Sequence, residues 1–299
     1  MPDERPSTGM VWLLAIRPAT LTAGIAPVVL GTAIAAAMGQ FALWPAVGAM
    51  AAAILVQIGT NLANDYYDFK KGADNDDRIG PARATQKGWL APEEVARGTA
   101  VVLVMAALVG AALAVHGGWP VVAIAIVSLI AAVAYTAGPF PLAYVGLGDV
   151  FVLVFFGPVA VSGTIYVQTL TWPIEGLVAG AALGCLATAI LVVNNLRDRH
   201  TDAAAGKRTL AVRFGATAAR WEYTVLVLSA FALVAGWNVV GGGWGWLVPL
   251  VALPLGLMQI RTIWTTDGAA LNPHLGSTAR LTLIFAALTS GGMLVGMTP

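Results

Sequence analysis

Nine stretches of predominantly apolar residues run through this chain, at about 18–38, 42–64, 98–116, 119–137, 148–168, 174–196, 217–240, 244–263 and 278–297. Each is close to the roughly 20 residues a helix needs to cross the hydrocarbon core of a bilayer. In lipid, only helices and closed barrels satisfy their own backbone groups, and runs of this length read as helices. Charge agrees: 10% of the residues are charged, against about a quarter in soluble domains, so most of the surface never meets water. Mean hydropathy is +0.80. The expected fold is an all-α integral membrane protein with nine transmembrane helices, formed as one domain over residues 1–299. Pro27, Pro45, Pro158 and Pro254 fall inside spans, which membrane helices tolerate when neighbours satisfy the freed groups. A net charge of +1 gives no reason to expect a nucleic-acid partner.

The cations orient the bundle. All 16 Lys and Arg lie on one side of a nine-span arrangement: in the N-terminus, in loops near 65–97, 138–147, 197–216 and 264–277, or at the span ends bordering them. The opposite side has none. The positive-inside rule makes the charged side cytoplasmic, which puts the N-terminus inside and the C-terminus outside. The outer connections are short and hold only one acid, Glu175. Chemistry is therefore expected on the cytoplasmic face.

Two polar clusters stand at the cytoplasmic ends of the second and sixth spans. In the first, Asn61, Asn64, Asp65 and Asp68 follow an i, i+3, i+4, i+7 pattern, so they share one helix face. In the second, Asn194, Asp198 and Asp202 are spaced by four, with Asn195 beside them. Four spans separate the clusters, the pattern of a parallel repeat with halves about 10–137 and 148–263 and a final helix at 278–297. Carboxylates near membrane depth are costly, by roughly 2.5–3.5 kcal/mol each on insertion scales, and acids sharing a face repel. Divalent cations reverse that balance. Mg²⁺ takes oxygen ligands, commonly one or two carboxylates plus substrate phosphates. Lys70, Lys71, Arg78 and Arg83 follow the first cluster, and Lys207 and Arg208 the second. Acids flanked by bases that grip phosphate oxygens form the charge pattern of a metal–diphosphate site.

At these residues the sequence resembles the UbiA superfamily of intramembrane prenyltransferases. Asn64-Asp65-Tyr66-Tyr67-Asp68 and Asp198-Arg199-His200-Thr201-Asp202 match its two aspartate motifs. The further aspartate that many relatives carry four residues after Asp68 is replaced by Gly72, and the next acid is Asp74. Arg17-Pro18, Asp77 to Pro81, Ala84 to Gly88, Tyr135 to Pro139 and Gly206 to Leu210 resemble the branch that prenylates 1,4-dihydroxy-2-naphthoate.

The resemblance implies nine helices around a central cavity open to lipid, dependence on Mg²⁺, a polyprenyl diphosphate donor and 1,4-dihydroxy-2-naphthoate as acceptor. It places the enzyme in menaquinone synthesis at a bacterial plasma membrane. Transferred residue by residue, Asp65, Asp68, Asp198 and Asp202 would be catalytic. Asn64, Asp65, Asp68 and Asp74 would hold one metal ion, and Asn194, Asp198 and Asp202 the other. Arg17, Lys71, Arg78, Arg83, Lys207 and Arg208 are the expected diphosphate contacts, with Asn61 and Tyr135 against the acceptor. The motifs leave open other acceptors, among them 4-hydroxybenzoate, haem, a chlorophyll precursor and phosphoribose. A secondary transporter fits less well, because the span centres are almost free of charge. Gly176, Gly180 and Gly184 read as a small-residue packing stripe, and Asp149 as a helix-opening acid.

Overall fold

The computed structural model of the chain describes residues 6–74 and 79–296. The described residues form helices α1 (Thr8–Ile16), α2 (Pro18–Ala37), α3 (Leu43–Lys70), α4 (Pro92–Gly117), α5 (Trp119–Ala134) and α6 (Leu142–Val145). After these come α7 (Gly148–Val154), α8 (Ala160–Thr169), α9 (Ile174–Ala204), α10 (Leu210–Trp237), α11 (Leu253–Thr265) and α12 (Asn272–Gly296), with no strand among the described residues.

Among the described residues, eight helical segments are long and apolar enough to span a membrane. The expected fourth span is shorter than the sequence implied. The α5 helix has 16 residues, about 24 Å at 1.5 Å per residue, and stops at Ala134 instead of 137. Pro139 and Pro141 follow closely, and proline removes an N–H and biases the residue before it away from helix. The α7 and α8 helices form one span broken by a π-turn at Phe155–Val159, where Pro158 sits. A short helix that the hydropathy pattern did not separate, α1, precedes the first span. Arg17, in the left-handed region at φ 57°, turns the chain from α1 into α2.

The lengths of α3 and α9 place the site. They have 28 and 31 residues, whereas about 20 suffice for the hydrocarbon. Roughly the last 8 residues of α3 and the last 11 of α9 therefore overhang, and the two acidic clusters lie on these overhangs. Both helices stop in the same way. Gly72 and Gly206 adopt φ +71° and +76°. Gly72 N–H bonds Phe69 O and Ala73 N–H bonds Asp68 O; Gly206 N–H bonds Ala203 O and Lys207 N–H bonds Asp202 O. These are paired Schellman caps, with Asp68 and Asp202 at equivalent positions. A left-handed C′ residue favours glycine, which accounts for glycine at positions 72 and 206.

The apolar core is centred on α9, which packs on α10, α12 and the π-turn. Leu183, Leu186, Val193 and Leu196 are fully buried, together with Leu30, Phe285 and Trp246. The glycine stripe does pack closely. A Cβ at Gly184 would meet Leu153 O at 2.3 Å, and one at Gly180 would meet Pro158 Cα at 2.7 Å.

Candidate active site

The overhangs of α3 and α9 open into one cavity of about 890 Å³. Its polar end is lined by Asn64 and Asp68 from α3 and by Asn194, Asp198 and Asp202 from α9. Its deeper wall is apolar, with Val56, Leu113, Leu129, Phe155 and Val167 contributed by α3, α4, α5, the π-turn and α8. Acids from two separate helices thus share one chamber, continuous with space suited to a hydrocarbon chain.

Lys207 joins the two clusters. Its Nζ lies 3.4 Å from Asp68 Oδ2 and 3.5 Å from Asp202 Oδ1. The Schellman cap at Gly206 folds the chain back so that this lysine faces the helix end it has just left. Burial by itself would lower the Lys207 pKa, but the charges of Asp68, Asp202 and Asp74 outweigh it and raise the value. Tyr144, in α6, donates to Asp68 Oδ1 at 2.8 Å. The ammonium groups of Lys71 and Lys207 lie over its ring, 4.3 and 5.0 Å from the centroid, within cation–π range. Burial, then the nearby Asp68 charge, pushes the Tyr144 phenol above its ordinary range, so it stays a donor.

Asp198 is held by its neighbour Arg197. Nε donates to Oδ1 at 2.7 Å and Nη2 to Oδ2 at 2.5 Å, a bidentate fork. The same guanidinium donates to Asn194 Oδ1 at 2.5 Å and to Asn272 Oδ1 at 3.0 Å. Asn64 Oδ1 accepts from the Thr136 hydroxyl.

The other expected site residues divide. Arg17, Arg83, Asn61 and Tyr135 line the cavity. Arg17 donates to Asn61 O at 3.2 Å, and Asn61 Nδ2 donates to Ile16 O and the Thr20 hydroxyl, both at 2.8 Å, so Asn61 clamps the α1–α2 turn onto α3. Asp65 is turned away from the cavity, into the loop after α3, where backbone and hydroxyl donors surround it. Asp74 is buried behind the wall, with its Oδ2 3.4 Å from Arg83 Nε. Lys71 does not line the cavity; it donates to Thr136 O at 2.6 Å, and burial lowers its pKa despite Asp68. Arg208 has an exposed side chain, and its backbone N–H bonds Tyr144 O at 2.8 Å. Arg78 falls outside the described residues. Asp149 is buried and accepts from Asn195 Nδ2 at 3.2 Å.

Arg197, Tyr144, Thr136 and Asn272 were not singled out by sequence. Arg197 left a readable signal, a cation between Asn194 and Asp198 at the end of a long apolar run. The others come from elements distant in sequence, and no local spacing ties them to the side chains they bond.

The donor set fits a hard divalent cation: the carboxylates of Asp68, Asp198 and Asp202 and the amides of Asn64 and Asn194 supply oxygen ligands on residues that line the cavity. Lys207 already places one positive charge between the two clusters. Among the described residues, however, no three acidic, histidine or cysteine side chains converge into a ready-made metal site.

A model of the UbiA prenyltransferase family matches residues 24–290. The chain belongs to the UbiA prenyltransferase family. It is 40% identical to the 1,4-dihydroxy-2-naphthoate octaprenyltransferase of Escherichia coli K12, over 95% of each chain. It is 39% identical to that of Mycobacterium tuberculosis, over 95% of this chain and 97% of the other. The solved structure of a UbiA homolog from Archaeoglobus fulgidus bound to GPP and Mg²⁺ superposes with a TM-score of 0.68, over 95% of this chain and all of that one. At 17% identity this last likeness is one of fold. It places the chain's helices in the UbiA architecture and accords with the all-helical fold.

Proposed function

We propose that this UbiA-family chain transfers a polyprenyl group from an allylic polyprenyl diphosphate to 1,4-dihydroxy-2-naphthoate, with loss of CO₂, as a step of menaquinone synthesis. The observation that carries the reading is the convergence of Asp68, Asp198 and Asp202 on one cavity whose inner wall is apolar. The full-length likeness to relatives with that activity selects the acceptor. The segregation of Lys and Arg supports a site facing the cytoplasm of a bacterial plasma membrane. The matched helix ends at Gly72 and Gly206 support reading the two halves as a repeat.

In this reading Asn64, Asp68, Asn194, Asp198 and Asp202 hold divalent cations. What those cations supply is charge neutralisation of the departing diphosphate. Arg17, Arg83 and Lys207 point into the same space and offer donors to its oxygens. The allylic C–O bond breaks with its electron pair leaving on the diphosphate. The naphthoate carbon bearing the carboxylate forms the new C–C bond, and CO₂ departs, the electron pair of the broken C–CO₂ bond restoring the aromatic ring. The apolar wall keeps water from the allylic cation.

The test uses purified protein in detergent with Mg²⁺ and a polyprenyl diphosphate, offered 1,4-dihydroxy-2-naphthoate and 4-hydroxybenzoate separately. A prenylated, decarboxylated product from the naphthoate alone is expected, and Asp198→Ala should abolish it at near-normal expression. Prenylation of 4-hydroxybenzoate with its carboxylate retained, and none of the naphthoate, would refute the assignment.

A further inference from the structure

The first acid of the Asn64-Asp65-x-x-Asp68 motif behaves unlike the rest. Asn64 and Asp68 line the cavity and Asp65 does not, although it is 1% exposed. Its side chain points from α3 toward the segment that follows the undescribed residues. There, Oδ2 accepts the Ala84 N–H at 3.2 Å, and Oδ1 accepts the Thr85 N–H at 3.4 Å together with the Thr85 hydroxyl. The hydroxyl also lies 3.1 Å from the Asp65 carbonyl oxygen. Both carboxylate oxygens thus accept backbone or hydroxyl donors of the loop, outside the cavity that Asp68 and Asp198 line. A carboxylate so placed acts as a cap for backbone N–H groups that would otherwise be buried without partners.

The capped segment is itself rigid. Trp89 and Leu90 N–H groups return to Ala84 O at 2.9 and 3.2 Å, and Gly88 N–H to Thr85 O at 3.0 Å. Ala84 and Leu90 pack with Val11, Ala15, Leu62 and Val95 in a small core between α1, α3 and α4. Immediately before Ala84 stand Pro81, Ala82 and Arg83, all three lining the cavity. The anchor and the cavity wall are therefore neighbours along one short stretch of chain.

We propose that Asp65 is a positioning residue that fixes the 81–85 segment so that Arg83 faces the diphosphate, and that it is not a metal ligand. The inference rests on the prenyl-diphosphate reading of the cavity. Its physical basis is geometric: an Asp65 carboxylate that turned to a metal ion would leave the Ala84 and Thr85 N–H groups unpaired in a buried place. It divides one sequence motif into two roles, Asn64 and Asp68 toward the cavity and Asp65 toward the loop.

The experiment compares Asp65→Asn, Asp68→Asn and Arg83→Gln in the full-length protein. Asn keeps one acceptor oxygen at position 65, and Thr85→Val weakens the same anchor from the other side without touching any carboxylate. Two readouts are used: steady-state kinetics, and Mn²⁺ binding followed by EPR in the presence of inorganic pyrophosphate. Asp65→Asn and Thr85→Val are expected to raise KM for the prenyl diphosphate, by ~10-fold if one charge-assisted contact is lost. The kcat value, the Mg²⁺ concentration at half-maximal rate and Mn²⁺ binding should stay near wild type. Asp65→Asn combined with Arg83→Gln should be no worse than Arg83→Gln alone, since both act through one contact. Loss of Mn²⁺ binding in Asp65→Asn, or multiplicative effects in the double variant, would overturn the proposal. Failure of the underlying reading looks different: Asp68→Asn would then bind Mn²⁺ and turn over like wild type.

Discussion

Replacing Arg197 with methionine isolates the most heavily engaged charge in the site. Its side chain is fully buried beside Asp198, whose side chain is 10% exposed. It makes two donor contacts to the Asp198 carboxylate, at 2.7 and 2.5 Å, and one each to Asn194 and Asn272. Arg197→Met leaves a buried carboxylate without its counter-ion, which typically costs about 3–5 kcal/mol. For a chain of 299 residues, 1 kcal/mol corresponds to roughly 2 °C in Tm, at the large end of the domain scale. The expected fall is therefore about 6–10 °C. Intrinsic tryptophan fluorescence during heating in detergent measures it, all variants being scanned at one rate. The double variant Arg197→Met/Asp198→Asn removes the orphaned charge as well and should recover more than half of the loss. It should remain inactive, because Asp198 faces the cavity. Unfolding of Arg197→Met within ~2 °C of wild type, or a double variant no more stable than the single, would refute this expectation. Either result would mean that water reaches the pair and screens it.

Other consequences can be measured directly. Tyr144→Phe deletes the donor to Asp68 while keeping the ring beneath Lys71 and Lys207, so kcat/KM should drop by ~10-fold or more, the scale of a hydrogen bond to a charged group, with little change in Tm. Because the folded-state pKa of Lys207 is raised, its pairing stabilises fully below the ordinary lysine value of 10.5 and is lost only as pH rises through the higher folded value. The Tm gap between wild type and Lys207→Met should hold from about pH 7 to 10 and shrink above; shrinkage already below pH 9 would contradict this. EDTA should abolish turnover yet barely move Tm, since Lys207 and Arg197 already compensate the acids. Gly184→Val should fail to yield folded protein, as its Cβ would sit 2.3 Å from the Leu153 carbonyl, whereas Gly276→Ala, with nothing within 4 Å, should be neutral in Tm.

The length of the chain's apolar runs by itself determined an all-helical membrane protein, because in lipid a segment of about 20 apolar residues satisfies its own backbone as a helix. Spacings of three and four determined the shared faces of Asn64 with Asp68 and of Asn194 with Asp198 and Asp202, since helix geometry fixes which side chains are neighbours. Charge segregation followed from the same local reading. The length of α5 was misjudged because hydropathy does not see the backbone limits set by Pro139 and Pro141. Asp65 could not be told from Asp68, because helical spacing puts both at the same end and on overlapping faces. Only the packed 84–90 loop, brought against α3 from outside it in sequence, decided that one acid caps amides and the other meets the cavity. The same holds for Tyr144, Thr136 and Asn272. Each reaches the site across 70 or more residues from the partner it bonds. Such pairings depend on how helices stack, and no local sequence pattern encodes a contact whose two halves have no fixed spacing.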